Sequence, residues 1–270
     1  MTNSKILPMR SMLVASKDHK LIQWDLSQAE TWIVAYLANS KTMKDSLHFG
    51  DIHTDTAAGI FNCEKENVTK VQRFLGKKGN HELSYGATHF MLAQSINAES
   101  DRPPFVTVSI PEAKDIYNGW HRVNWEVKAN FWSYIEECLG VNRTLITPYG
   151  RFRVFYEAWG TELFKTAYAY IPQSSIADHL NGKVHPQLQI KGGLLEVKRE
   201  FVNKGLFNIV NQSHDSFIAE VHDDKCDDVI EPVTNLIHRP LVINGEEFTI
   251  PVDVEIGERW GELKKVKVAA

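Results

Sequence analysis

β-rich stretches stand near the two ends of this chain, and a long, mainly helical stretch separates them. Residues 20–25, 206–222 and 248–256 carry the short apolar and β-branched runs of strands, whereas most of 28–203 carries helical spacing. A sheet that draws on both ends of a chain must close around what lies between. The pattern predicts an α+β fold: an antiparallel sheet with flanking helices and an inserted, mainly helical domain.

An aspartate marks the end of a strand in each β region. Asp25 closes the run Leu21-Ile22-Gln23-Trp24 and opens Asp25-Leu26-Ser27-Gln28-Ala29-Glu30, with Ser27 as expected N-cap of a helix over 28–38. Asp215 lies in Asn211-Gln212-Ser213-His214-Asp215-Ser216, at the turn of a predicted hairpin. If folding brings these strand ends together, two carboxylates can hold two divalent metals, the arrangement that phosphoryl and nucleotidyl transfer use. Taken singly, each aspartate also reads as an ordinary cap or turn residue.

Further helices are predicted from 52 through Phe61, over 67–85, over 87–97, from Pro111 to about Leu139, over 161–181 with Pro172 inside, near 194–203 and over 224–238. A polar stretch precedes Asp51, a hairpin is predicted around Pro148-Tyr149-Gly150-Arg151, and 183–192 reads as a loop.

On the helix at 67–85, Arg73, Lys77, His81 and Tyr85 recur every fourth residue. Four-residue steps drift about 40° each, so the four form one slowly winding stripe suited to gripping a polyphosphate. A solvated basic face is the plainer reading. Against it, the stripe runs into His81 and Tyr85, and Gly76 and Gly79 interrupt the helix, which suggests close approach to its backbone. No P-loop is present, because position 71 is not Gly and position 78 is Lys.

Hydrophobic residues make up 43% of the chain, enough for a real core, and the net charge of -4 gives no global basic field. Three scattered cysteines, with no CxxC pair, argue against a disulfide framework. The absence of a signal-like or membrane-spanning run predicts a soluble, cytoplasmic protein with no membrane partner.

In order and spacing, these segments resemble the C-terminal part of family A DNA polymerases. Asp25 to Glu30 resembles motif A, Asp51-Ile52-His53 the segment that follows it, and Arg73-x3-Lys77-x2-Asn80-His81-x3-Tyr85-Gly86 motif B. Thr147-Pro148-Tyr149-Gly150-Arg151 is similar to the family's Thr-x-x-Gly-Arg hairpin, and Gln173 to its palm-helix glutamine. Gln212-Ser213-His214-Asp215 resembles motif C, and 251–260 the closing strand. The likeness runs from about Ile6 to Trp260.

The resemblance implies a palm in two parts, 1–46 and 175–270, around fingers at 47–174. It implies Asp25, Asp215 and the Leu26 carbonyl as ligands of two Mg²⁺, with Mn²⁺ as a substitute. Arg73, Lys77 and His53 would hold the triphosphate of a dNTP, with Lys77 as proton donor to pyrophosphate. Gln28, Glu30, His81 and Tyr85 would complete the nucleotide site, with Glu30 blocking a ribose 2′-hydroxyl and Tyr85 stacking near the templating base. Gln173, Gln212, His214, Arg151 and Lys165 would contact primer-template DNA.

The chain departs from the family pattern at His81, where Phe or Tyr is usual, and at Ser216, where Glu is usual. Lys165 and Ala169 stand where the palm helix carries Arg and Asn. The thumb and first palm strands should precede motif A, so a separate polypeptide is expected to supply them, docking on an exposed palm edge and on Ile6, Leu7, Met9, Met12 and Leu13. Two alternatives stand beside template-directed DNA synthesis. One is a catalytically inactive, polymerase-like DNA-binding subunit. The other is a metal-dependent phosphohydrolase using His53, His214 and Asp215.

Overall fold

A computed structural model describes residues 9–267, and its chain divides into two compact units. Residues up to Ala29, Ser175–Val242 and those from Glu247 onward form unit 1; Glu30–Ser174 and Ile243–Glu246 form unit 2. The first division falls earlier than the expected 46/47 boundary. The second lies inside helix α8 (Thr161–Asn181), which carries Pro172.

Unit 1 is built on a five-stranded antiparallel sheet. Its strands are β1 (His19–Leu26), β4 (Phe207–Ser213), β5 (Ser216–His222), β8 (Val252–Gly257) and β9 (Lys264–Val266), in the order β4-β5-β1-β8-β9. The central strand is β1. Its Leu21, Ile22, Trp24 and Leu26 are buried, and Trp24 stacks on Phe217 of β5 with ring centroids 5.0 Å apart. Helix α10 (Cys226–Ile237) packs on this sheet, and the Trp24 indole donates to Thr234 Oγ1 at 3.2 Å. Buried indoles normally find such a partner. Helix α9 (Gly193–Glu200) packs against α10.

The segment expected as one last strand over 248–256 is instead two. β6 (Pro240–Ile243) and β7 (Glu246–Thr249) form a hairpin, and β8 starts anew after Pro251. Proline cannot donate to a ladder, so Pro251 ends β7 rather than continuing it. β9 pairs β8 at Val254, Glu255 and Ile256, which leaves β4 and β9 as the sheet's edges.

Unit 2 is mainly helical. Its helices are α1 (Ala29–Leu37), α2 (Lys41–Phe49), α3 (Ile52–Phe61), α4 (Lys70–Leu83), α5 (His89–Asn97), α6 (Ile110–Val123), α7 (Ser133–Asn142) and the first part of α8. Strands β2 (Thr144–Ile146) and β3 (Phe152–Val154) form the predicted hairpin, closed by the Gly150 N–H donating to the Thr147 carbonyl at 2.8 Å.

Four local expectations are corrected. The polar stretch before Asp51 is helix α2, started by Ser40, whose hydroxyl accepts from the Met43 N–H. Gln28, at φ 56°, rather than Ser27, stands immediately before α1. Thr69 and Gln72 make a capping box that starts α4 at Lys70, later than predicted, and the helix stops at Leu83, so Tyr85 lies beyond it. The long helix from Pro111 breaks at Asn124, and a π-helical segment, Val127–Trp132, follows. The wider turn buries Val127, Phe131 and Trp132 together, and Trp132 stacks on Tyr168 at 4.8 Å.

A carboxylate cluster and a basic helix face

In unit 1 the two aspartates sit on neighbouring strand ends. Asp25 stands opposite Ser216 in the β1–β5 ladder, and the Leu26 N–H donates to the Asp215 carbonyl at 3.0 Å. On its other side, Asp25 is registered with Asp253 of β8, and Gln23 with Glu255. Burial first, then the charges of Asp215, Asp253 and Glu255, raise the Asp25 pKa from 3.8 to about 6. Lys265 Nζ lies 3.0 Å from Asp253 Oδ2.

Asp25 and Asp215 are hard oxygen donors, and negative charge crowding a half-buried carboxyl favours a hard divalent cation there. No group of three or more His, Cys, Asp or Glu that could hold a metal occurs among the described residues. Mg²⁺ is commonly held by one or two carboxylates together with substrate phosphates, so two aspartates and a carbonyl suit it. Ser216 Oγ donates to the Ser213 carbonyl at 3.2 Å and so closes the turn.

In unit 2, Arg73, Lys77 and His81 lie on the exposed face of α4. Lys77 makes no hydrogen bond or ion pair among the described residues. Arg73 Nε pairs with Asp51 Oδ2 at 2.6 Å. Burial alone would raise the Asp51 pKa, but bonds from Arg73, Thr54 Oγ1 and the His53 N–H hold it below the usual carboxylate value. Lys78, flanking the stripe, is engaged by Glu99 and Ser95.

His53 is buried on the first turn of α3, and its ring centroid lies 5.9 Å from that of His81. Burial, then the cationic surroundings of His81, Lys77 and Arg73, lower the His53 pKa to about 4 against the opposing pull of Asp51. Burial and Lys77 also lower that of His81. Tyr85 donates its hydroxyl to Glu30 Oε2, and burial and that carboxylate push its pKa well above 10.

The glycines of α4 admit protein rather than ligand. A Cβ on Gly76 would stand 2.6 Å from the His53 carbonyl, and one on Gly79 would stand 3.0 Å from Trp120 Cδ1. Helices α3, α4 and α6 therefore approach one another closely here.

The remaining predicted site residues are dispersed. Gln28 is partly buried, with no hydrogen-bond partner at its Oε1. Lys165 pairs with Glu162 at 2.6 Å. Gln212 Nε2 donates to Asn181 Oδ1 at 3.1 Å, and His214 stands at φ 41° in the β4–β5 turn. Gln173 and Arg151 are exposed. Sequence reasoning gives Trp120 no part, and it names Asn80 and places Asp253 only as motif positions without a role. Only the register opposite Asp25 marks Asp253, and only the glycine spacing hinted at Asn80 and Trp120.

The family model of DNA polymerase family A matches residues 2–262. DNA polymerase I of Helicobacter pylori is 24% identical over 266 residues, which covers 96% of this chain and 27% of that protein. DNA polymerase I of Pseudomonas aeruginosa is 27% identical over 258 residues, covering 94% and 26%. The chain thus spans about a quarter of the length of these curated relatives. In fold it is similar to the POL domain of Pol1 from M. smegmatis, solved with DNA primer-template and dNTP. The TM-score is 0.73 at 21% identity, covering 93% of this chain and 42% of that one.

Proposed function

The chain belongs to DNA polymerase family A, and on that premise we propose that it performs template-directed DNA synthesis, joining a dNTP to a primer 3′-hydroxyl. The observation that supports this reading is the register that sets Asp25 opposite Ser216 and Asp253, beside the Asp215 turn, where burial and then the charges of Asp215, Asp253 and Glu255 oppose its ionisation and a divalent cation would favour it.

Asp25, Asp215 and the Leu26 carbonyl would hold two Mg²⁺, or Mn²⁺ in their place. Ions held there would supply Lewis-acid chemistry, lowering the pKa of a 3′-hydroxyl and offsetting the charge of pyrophosphate. Lys77 would grip the triphosphate and donate a proton to pyrophosphate. Arg73 would join it by exchanging Asp51 for phosphate, so nucleotide binding competes with that ion pair. His53 would meet the phosphates as a neutral group, given its lowered pKa. Glu30, steadied by Tyr85, would crowd a ribose 2′-hydroxyl, beside Gln28 and His81. Gln173, Gln212, His214, Arg151 and Lys165 would line the primer-template path. Base pairing would read sequence, and affinity would fall with salt.

The presence of Asp25, Asp215, Arg73 and Lys77 together supports an active enzyme over an inactive binding subunit. A separate polypeptide bearing a thumb and further palm strands would complete the grip on DNA. Met9 and Met12, 84% and 75% exposed in a 3-10 turn ahead of β1, support such docking; Ile6 and Leu7 lie outside the described residues. Primer extension tests the reading. Asp25→Ala and Asp215→Ala should each abolish nucleotide addition while leaving the circular-dichroism spectrum and primer-template binding intact. Near-normal extension by either variant would refute it.

A further inference from the structure

The Asn80 amide joins three helices of unit 2. Trp120 of α6 donates its indole N–H to Asn80 Oδ1 at 2.9 Å, and both residues are buried. An indole nitrogen only donates, so this contact fixes which end of the amide is oxygen. The Nδ2 end then faces His53 Nδ1 at 3.3 Å, with Thr56 Oγ1 at 3.1 Å and the Ile52 carbonyl at 3.5 Å. An amide nitrogen also only donates, so His53 Nδ1 must accept. A neutral imidazole carries one ring proton, which is left on Nε2. Among the described residues, Nε2 has no hydrogen-bond partner.

Gly79 belongs to the same device, since its missing Cβ is what lets the Trp120 ring reach the amide. The charged and titratable groups around His53 are Asp51 at the N-cap of its own helix and Arg73, Lys77 and His81 on α4. From α6 the device draws an indole rather than a charge.

We propose that Asn80, oriented by Trp120, is a positioning residue that holds His53 as its Nε2–H tautomer, so that His53 meets the dNTP triphosphate as a neutral hydrogen-bond donor. The tautomer follows from unit 2 alone. The triphosphate half rests on the polymerase reading above.

A purely structural amide would only fill a buried hole, and Asn80→Asp separates the two roles. It keeps the size, and one carboxylate oxygen still accepts from Trp120. The other oxygen can only accept, so it draws the ring proton to His53 Nδ1. Nitrogen-15 NMR of the full chain with labelled histidine, at about pH 8 and without ligand, should show wild-type His53 protonated on Nε2 and bare on Nδ1. In Asn80→Asp the proton should move to Nδ1, and His53 should titrate about one pH unit or more higher. Trp120→Phe retains a large ring and loses the donor. It should let a population with the proton on Nδ1 emerge, which covers the case of an Asn80→Asp chain that does not fold.

Binding of dATP supplies the second arm. Asn80→Asp should weaken the Kd about tenfold at about pH 8, with the deficit shrinking toward about pH 6 as the ring regains its Nε2 proton. A purely structural role would give a deficit that does not change with pH. Wild-type His53 protonated on Nδ1, an unmoved proton in both variants, or a pH-independent Kd ratio would each overturn the proposal. Primer extension by the wild-type chain is scored separately, so failure of the polymerase reading is told apart from failure of this one.

Discussion

Tyr85 donates its phenolic hydroxyl to the carboxylate of Glu30, tying the turn after α4 to the first turn of α1 across 55 residues of sequence. The bond holds Glu30 in one orientation, and a carboxylate can exclude a 2′-hydroxyl only while it is so held. Glu30→Ala should therefore admit ribonucleotides freely. Tyr85→Phe keeps the ring and removes that hydrogen bond to the carboxylate, so it should lower deoxy-over-ribo selectivity by about tenfold, the effect of one charge-assisted hydrogen bond. Single-nucleotide kinetics with paired deoxy and ribo substrates measure both, and an unchanged ratio in Glu30→Ala would contradict the gate.

The two glycines of α4 and the one in α7 make opposite predictions for the same substitution. Gly76→Ala sets a methyl 2.6 Å from the His53 carbonyl, so α3 and α4 must part. Overpacking costs about 1–3 kcal/mol, offset by about 1 kcal/mol of helix propensity, and the net should be a loss of up to about 2 kcal/mol. A Cβ on Gly140 meets nothing within 4 Å, so Gly140→Ala should stabilise α7 by about 0.5–1 kcal/mol. Urea denaturation of the two variants, read by circular dichroism, decides whether contact or propensity governs.

Much of this was legible from one sequence. The strand ends bearing Asp25 and Asp215, the helix bearing Arg73, Lys77 and His81, and the β2–β3 hairpin all follow from apolar spacing and turn residues. What escaped depended on tertiary partners. Nothing local in Pro251-Val252-Asp253 says that Asp253 stands opposite Asp25, because register is a property of two strands. Asn80 stands in the motif B pattern, but nothing local gives it a role until Trp120, forty positions away, reaches its amide. The break at Asn124 was hidden because residues 111–139 carry helical spacing throughout, while the π turn shifts which of them are buried. Glycines 76 and 79 did announce a close approach, and the approaching groups are neighbouring helices.

His81 follows Lys77 along α4, and partial desolvation of its ring, then the Lys77 charge, lowers its pKa below the usual imidazole value. Its imidazole presents no hydroxyl to a bound sugar. His81→Tyr supplies one that can stand in for a missing 3′-hydroxyl, so the preference for deoxy over dideoxy substrates should fall by about tenfold. Chain-termination kinetics read the ratio, and an unaltered value would remove His81 from the sugar's surroundings.

Asp25 should make the metal-free chain less stable as pH rises. Its carboxyl ionises near 3.8 in the unfolded chain and near 6 when folded, because burial and the charges of Asp215, Asp253 and Glu255 oppose ionisation. Between those values the folded chain holds the proton more tightly, so the contribution to stability is fully present below about pH 4 and lost as pH rises through about 6. The shift sets a ceiling of about 3 kcal/mol, and partial exposure to solvent reduces this to about 1–2 kcal/mol. Asp25→Asn removes the charge and keeps the shape. It should therefore be more stable than the wild type by that amount at about pH 7.5 in EDTA, and equal to it at about pH 4. Millimolar Mg²⁺ or Mn²⁺ should raise the melting temperature of the wild type at about pH 7.5 and leave that of Asp25→Asn nearly unmoved, because a cation that binds only the folded cluster stabilises it by mass action. Thermal melts across pH, with and without metal, test both halves. Equal stability of the two proteins at about pH 7.5 in EDTA would show that Asp25 is not strained, and an equal metal response would show that the cation binds elsewhere.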